Sequence, residues 1–230
     1  MIFMEMKEIP KKAVHLGLKV SGSKYRLKLI REEYAIINKK SSLQNLGGVK
    51  GKHEDKDGKI YTDKWCINHQ KKCLENYDLH MQYFSLLNHD EFDKEINSFL
   101  HRYPFFKQVN DLNQLNSKSG YYILILDEYC QVYVGTAQDI LKRIKQHWVT
   151  RKSFDRLIFG TVETSIMSID SFRALDTTRV LAYETPNIFH EEDDYIKFFS
   201  TQFRTNRLSG GYIKGGILGA ISMIKSRNLK

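Results

Sequence analysis

The sequence predicts an α+β protein: a small antiparallel sheet of three strands flanked by helices, following a mainly helical N-terminal region. Three observations carry this expectation. Leu27, Ile30, Tyr34 and Ile37 recur at three- and four-residue steps, the apolar stripe of a helix. Tyr121 to Leu126 is an unbroken β-favouring apolar run, too apolar to alternate, which suits a central strand buried on both faces. Clusters of Gly and Asp separate these periodic stretches and mark turns and loops.

Residues 1–22 carry no clear periodicity, and residues 24–37 predict a helix. Gly47-Gly48, Gly51 and Glu54-Asp55-Lys56-Asp57-Gly58 place an exposed loop or hairpin within 41–63. Leu74 to Leu87 and Phe92 to Leu100 have helical patterns, the second stopped by Pro104. Asn110 to Lys118 is polar and reads as a junction. The strand from Tyr121 turns at Asp127-Glu128 and returns as Gln131 to Val134, an antiparallel hairpin. Thr136 and Asp139 fit a capping box for a helix with Ile140, Leu141, Ile144 and Trp148 on one face. Arg156 to Val162 predicts the third strand, Phe172 to Tyr183 a helix ended by Pro186, and Asp193 to Phe203 another. The tail has Gly210-Gly211 and Gly215-Gly216 before an apolar and basic helix from Ile217 to Arg227. This organisation divides the chain into 1–118, 119–208 and 209–230.

With 41% hydrophobic and 12% aromatic residues, the 230-residue chain can bury a core, which excludes global disorder. The net charge of +9 favours a polyanionic partner. The excess is concentrated: residues 11–50 hold ten Lys or Arg against two Glu. Lys24, Arg26 and Lys28 in that block, with Arg207 and Lys214 near the Gly-rich tail, are candidates to track phosphates, a solvated lysine-rich surface being the alternative. Three cysteines argue against a disulfide framework and for a reducing compartment. No apolar run has the length of a membrane span, and the first residues make a poor signal peptide. A cytoplasmic protein without membrane attachment is expected.

The chemistry is concentrated between Gly120 and His147. Gly120-Tyr121-Tyr122 is followed by Tyr133-Val134-Gly135, then by Arg143 and His147 in an R-x-x-x-H pair. Four residues separate Arg143 from His147, so both project from one face of a helix. These two triplets, their spacing and the Arg/His pair resemble the signature of the GIY-YIG nuclease superfamily, over about a third of the chain, residues 119–188. The order strand, turn, strand, capped helix, strand, helix is that family's core.

The resemblance implies a metal-dependent DNA endonuclease that hydrolyses phosphodiester bonds with Mg2+ or Mn2+, of a restriction or defence type, with 1–118 as a basic substrate-binding region. It implies Tyr122 as general base or relay, Tyr133 as positioner of the water, Arg143 as holder of the scissile phosphate, and His147 as acceptor of the Tyr122 proton. Gly120, Gly135 and Asn187 would support them. The family places a metal-binding Glu early in the helix after the third strand, with Pro and Asn about a dozen residues later. Asp176, followed by Pro186-Asn187, is the first choice for that ligand and Glu184 the second, with Asn206 its downstream partner. A double-strand cutter with one site needs two copies or two nicks, so a homodimer is one expectation. Because Asp departs from the family's Glu, a catalytically impaired nucleic-acid-binding module is the alternative. Isolated tyrosines would otherwise read as strand packing.

Cys66, His69, Cys73 and His80 are zinc-like residue types in an unfamiliar spacing on a helical segment. Asp55, Asp57 and Gly58 resemble the start of a calcium loop whose closing position is Cys66, not Glu. His190 to Asp194 is an acidic run best suited to a helix N-terminus, with a second metal site as a lesser reading.

Overall fold

The computed structural model describes residues 13–20, 27–37, 52–206 and 215–229. In chain order these form the hairpin β1 (Val14–His15) and β2 (Leu18–Lys19), the short helix α1 (Arg31–Tyr34), and the hairpin β3 (His53–Glu54) and β4 (Ile60–Tyr61). Two long helices follow, α2 (Asp63–Phe84) and α3 (His89–Arg102). Then come β5 (Lys107–Gln108), β6 (Gly120–Leu126), β7 (Gln131–Ala137), α4 (Ile140–Val149), β8 (Arg179–Glu184), α5 (Glu192–Phe198) and α6 (Gly216–Asn228).

The class is mixed, but the expected single three-stranded sheet is not what forms. The main sheet has four antiparallel strands in the order β5-β8-β6-β7, beside the two small hairpins. Two misreadings account for the difference. β5 is only two residues long and both are exposed and polar, so nothing in its pattern announces a strand. It comes from before residue 119, so the sheet draws on both sides of that position. The predicted strand at 156–162 is absent: Phe154–Arg156 is a 3-10 turn, and Gly160 has a φ of 81°. That segment's last carbonyl is tied elsewhere, with buried Asn76 of α2 donating to Val162 O at 2.7 Å and, just beyond, to Ser165 O at 2.9 Å. The third long strand is instead β8, inside the stretch expected to be helical from Phe172 to Tyr183. Its partners, Ile125 through Gly120, lie more than fifty residues away, which no local period reveals.

β6 meets its expectation. All seven residues are buried, with β7 on one side and β8 on the other. Its first residue has to be glycine: φ is 149°, and a Cβ would overlap the Tyr183 carbonyl. α4 starts three residues later than a Thr136 cap would put it. Asp139 is the cap, accepting from Lys142 N at 2.9 Å, while Thr136 stays in β7 and donates to Gly120 O at 3.2 Å.

One cluster of buried apolar side chains joins α2, α3, the sheet and α6. No helix among the described residues is long and apolar enough to cross a membrane.

Candidate active site

Alternation along β6 sends Tyr121 to one face of the sheet and Tyr122 to the other. Tyr122 lies opposite Gly135 of β7, and Leu124 opposite Tyr133, so Tyr122, Gly135 and Tyr133 share a face. Gly135 leaves the room that the phenol occupies; a Cβ there would stand 2.5 Å from Tyr122 Cζ and Oη. α4 crosses this face with Arg143 and His147 one turn apart.

These four residues meet. The Tyr122 hydroxyl is 2.7 Å from His147 Nε2. The Tyr133 ring lies 5.0 Å from the His147 ring and 6.3 Å from that of Tyr122. The Arg143 guanidinium is near enough to bear on both phenols, and its Nη1 donates to Gln146 Oε1 at 3.0 Å. Tyr122 and His147 are buried, while Tyr133 and Arg143 reach solvent. The outer pair can therefore touch a bound substrate and the inner pair can carry a proton away from it.

Burial pushes the Tyr122 phenol well above its usual pKa; Tyr133 adds to this, and Arg143 opposes it. Tyr133 is raised by burial too, again against Arg143. At neutral pH both are phenols.

Two residues that sequence reasoning left out of the site belong to it. Asp170, in the 3-10 turn Ile169–Ser171, places Oδ1 2.7 Å from His147 Nδ1, on the side of the ring away from Tyr122. Nothing in the local sequence distinguishes it, because its position depends on that turn packing against α4. Glu192 opens α5, which packs on β7. Its carboxylate is raised by burial and by Asp193 and pulled back by Arg143, and it bears in turn on Tyr122 and Tyr133. It was hidden in the acidic run His190 to Asp194, which does begin a helix.

Asp176 and Glu184 stand elsewhere. Because β8 is a strand, Asp176 precedes the third long strand rather than following it. It is 1% exposed, and its oxygens accept from Leu29 N (2.9 Å), Arg173 N (2.7 Å) and the Tyr129 hydroxyl (2.9 Å). That saturated carboxylate is a structural staple between the N-terminal region and the sheet. Glu184 ends β8 in an exposed ion pair with Lys118 at 3.2 Å. Asn187 lies in the loop beyond, its N–H on Thr185 Oγ1 at 3.2 Å. Asn206, in contrast, reaches the site's frame. Its amide donates to Val134 O and accepts from Val134 N, both at 2.7 Å, clamping the outer edge of β7 beside Tyr133.

Of the candidate phosphate contacts, Lys28 pairs with Glu128 on the surface. Lys24, Arg26, Arg207 and Lys214 lie outside the described residues. His69 and His80 are engaged by Phe154 O, Asn76 O and Met167 N. Asp55 turns onto its own hairpin, accepting from Asp57 N, Lys59 N and the Tyr61 hydroxyl. Among the described residues no group of three or more His, Cys, Asp or Glu could hold a metal ion.

Comparison with protein-family models, curated proteins and solved structures found no match.

Proposed function

We propose that the chain is a metal-dependent DNA endonuclease of the GIY-YIG type, cleaving phosphodiester bonds with Tyr122, Tyr133, Arg143 and His147. The observation that carries this reading is the 2.7 Å contact between the buried Tyr122 hydroxyl and His147 Nε2, with Tyr133 and Arg143 at the solvent side of the same cluster. A hydrogen bond satisfies any buried hydroxyl, but here the partner is a group that can take the phenol's proton, and a cation and a second phenol stand beside it.

Arg143 holds the scissile phosphate through its planar fork of donors. The Tyr133 hydroxyl orients the attacking water. Tyr122, a phenol at rest because of burial, accepts the water's proton as it passes its own to His147 Nε2, so no resident phenolate is needed. The water oxygen bonds to phosphorus as the bond to the leaving oxygen breaks; the water's proton ends on His147, and the leaving oxygen takes up a proton from solvent.

Glu192 is the carboxylate suited to a divalent cation. A single carboxylate fits Mg2+ or Mn2+, which keep waters and take their other oxygens from substrate phosphate. Such an ion supplies charge neutralisation at the phosphate. This reading replaces Asp176 and Glu184 with a carboxylate whose charge bears on Arg143 and on both tyrosines.

DNA is the partner that a basic chain and phosphodiester chemistry favour together, and restriction or defence is the biological class. Cytoplasmic location rests on Cys66, Cys73 and Cys130, which are buried without a disulfide. The test is incubation of supercoiled plasmid with Mg2+ or Mn2+ and wild type, Tyr122→Phe, Arg143→Ala or Glu192→Ala. Wild type nicks or linearises the plasmid, and each variant is slower by about 10²-fold or more. Equal cleavage by all four, or none by wild type over a range of DNA substrates, overturns the reading. Retained DNA binding without cleavage would instead mark an impaired binding module.

A further inference from the structure

We propose that Asp170 is a positioning residue that fixes the tautomer of His147, holding Nε2 as an acceptor so that the Tyr122 proton can move in one direction only. The inference rests on the nuclease reading for its purpose but not for its geometry.

A neutral imidazole has one donor and one acceptor nitrogen, and which is which follows from the partner each meets. His147 is 1% exposed and meets Asp170 Oδ1 at Nδ1 and the Tyr122 hydroxyl at Nε2, each at 2.7 Å. An ionised carboxylate can only accept. It therefore selects Nδ1–H, and Nε2 is left to accept from the Tyr122 O–H. The other tautomer would aim the Nδ1 lone pair at the carboxylate and leave Asp170 Oδ1 without that donor.

Asp170 is itself held in place. Its backbone N–H meets Ser168 Oγ at 3.4 Å, and Arg173 Nη1 donates to its carbonyl at 2.8 Å. With its side chain 32% exposed, it also borders a small cleft of about 20 Å³, near the size of one water, whose lining includes Glu33, Arg151, Lys152, Ser171 and Arg173. The charged and titratable groups facing the pair are thus Tyr122, Tyr133 and Arg143 on the substrate side, and Glu33, Tyr34, Arg151, Lys152 and Arg173 on the other. When His147 gains the proton, Asp170 also stabilises the resulting imidazolium, as charge-assisted hydrogen bonds do.

The tautomer is read directly by long-range 1H–15N NMR of the full chain at mildly alkaline pH, with the His147 signals assigned by their loss in His147→Gln. Wild type shows the Nδ1–H form. Asp170→Asn, whose amide can turn an N–H toward the ring, loses that preference, and Asp170→Glu recovers part of it. A wild-type ring in the Nε2–H form, or an unchanged tautomer in Asp170→Asn, overturns the proposal. On plasmid, Asp170→Asn lowers kcat by about 10²-fold, leaves KM nearly unchanged and shifts the pH profile of kcat. A change confined to KM, or an unaltered profile, counts against it. The tautomer needs no substrate, so absence of cleavage by wild type would sink the nuclease reading alone.

Discussion

Tyr121 and Tyr122 are neighbours in sequence and equally buried, yet β6 sends them to opposite environments. On the Tyr121 side the surroundings are aromatic. Its ring stands 5.1 Å from that of Tyr195 and 6.3 Å from that of Tyr183, and Phe99, Tyr103, Phe105 and Phe106 continue the cluster. Its hydroxyl accepts two backbone N–H bonds, from His190 at 3.2 Å and Glu191 at 3.1 Å. On the Tyr122 side the neighbours are ionisable: Tyr133, Arg143 and His147, with Asp170 behind. The first hydroxyl closes a helix end that packing has already placed, and the second joins a chain of proton-carrying groups. A tyrosine's burial and residue type are therefore uninformative here; what its oxygen meets decides its job.

The largest expected effect breaks that comparison most directly. Tyr122→Phe removes only an oxygen, so the fold should survive, while cleavage falls by about 10³-fold or more because proton transfer and its link to His147 are both lost. Plasmid cleavage with a parallel thermal melt reads both quantities. Loss of activity only in step with loss of melting temperature would reduce Tyr122 to a packing residue like its neighbour.

The second test sets Glu192 against Asp176. Asp176→Ala strands the Leu29 and Arg173 N–H groups and the Tyr129 hydroxyl, at a cost of about 3 kcal/mol in urea unfolding. Glu192→Ala leaves no such orphan among the described residues and should change stability by less than about 1 kcal/mol, while abolishing Mn2+ binding in calorimetric titration. Mn2+ affinity lost in Asp176→Ala and kept in Glu192→Ala would reverse the assignment.

The uneven legibility of this chain has a physical pattern. β6, β7 and α4 can be read locally, because a doubly buried strand, a four-residue return and an i, i+4 pair are each written within a few positions. β8 cannot. Arg179-Val-Leu-Ala-Tyr-Glu acquires its identity from Lys107 and Gln108 on one side and β6 on the other, contacts far away in sequence. With 179–184 a strand, Asp176 precedes the third long strand, and the helix that follows that strand is the one Glu192 opens. Asp170 has no local signal, since only the approach of its turn to α4 puts a carboxylate on His147.

Gly135→Ala sharpens the comparison from the opposite strand. The added methyl would sit 2.5 Å from the end of the Tyr122 ring, so the phenol must give way, and its hydroxyl is the part that moves. Cleavage should fall by about 10- to 10²-fold, since small misplacements of a reacting group are costly. An accompanying loss of about 1 to 3 kcal/mol is expected from overpacking. Full activity in this variant would mean that the contact with His147 tolerates displacement.

The smallest effect is expected from Tyr121→Phe, the mirror of the first substitution. It keeps the ring in its aromatic packing and removes only the acceptor for His190 N and Glu191 N. Both donors stand at the entry to α5, where water can replace the lost oxygen in part, so the cost should be about 1 kcal/mol. For a domain of this size that is about 2 to 4 °C in Tm. Those two N–H groups also fix the segment that delivers Glu192, so a drop in metal-dependent cleavage should appear as a need for more Mn2+ at unchanged saturated rate. If Tyr121→Phe instead lowered the saturated rate as far as Tyr122→Phe does, the two faces of β6 would be one site, and the division of labour between them would fail.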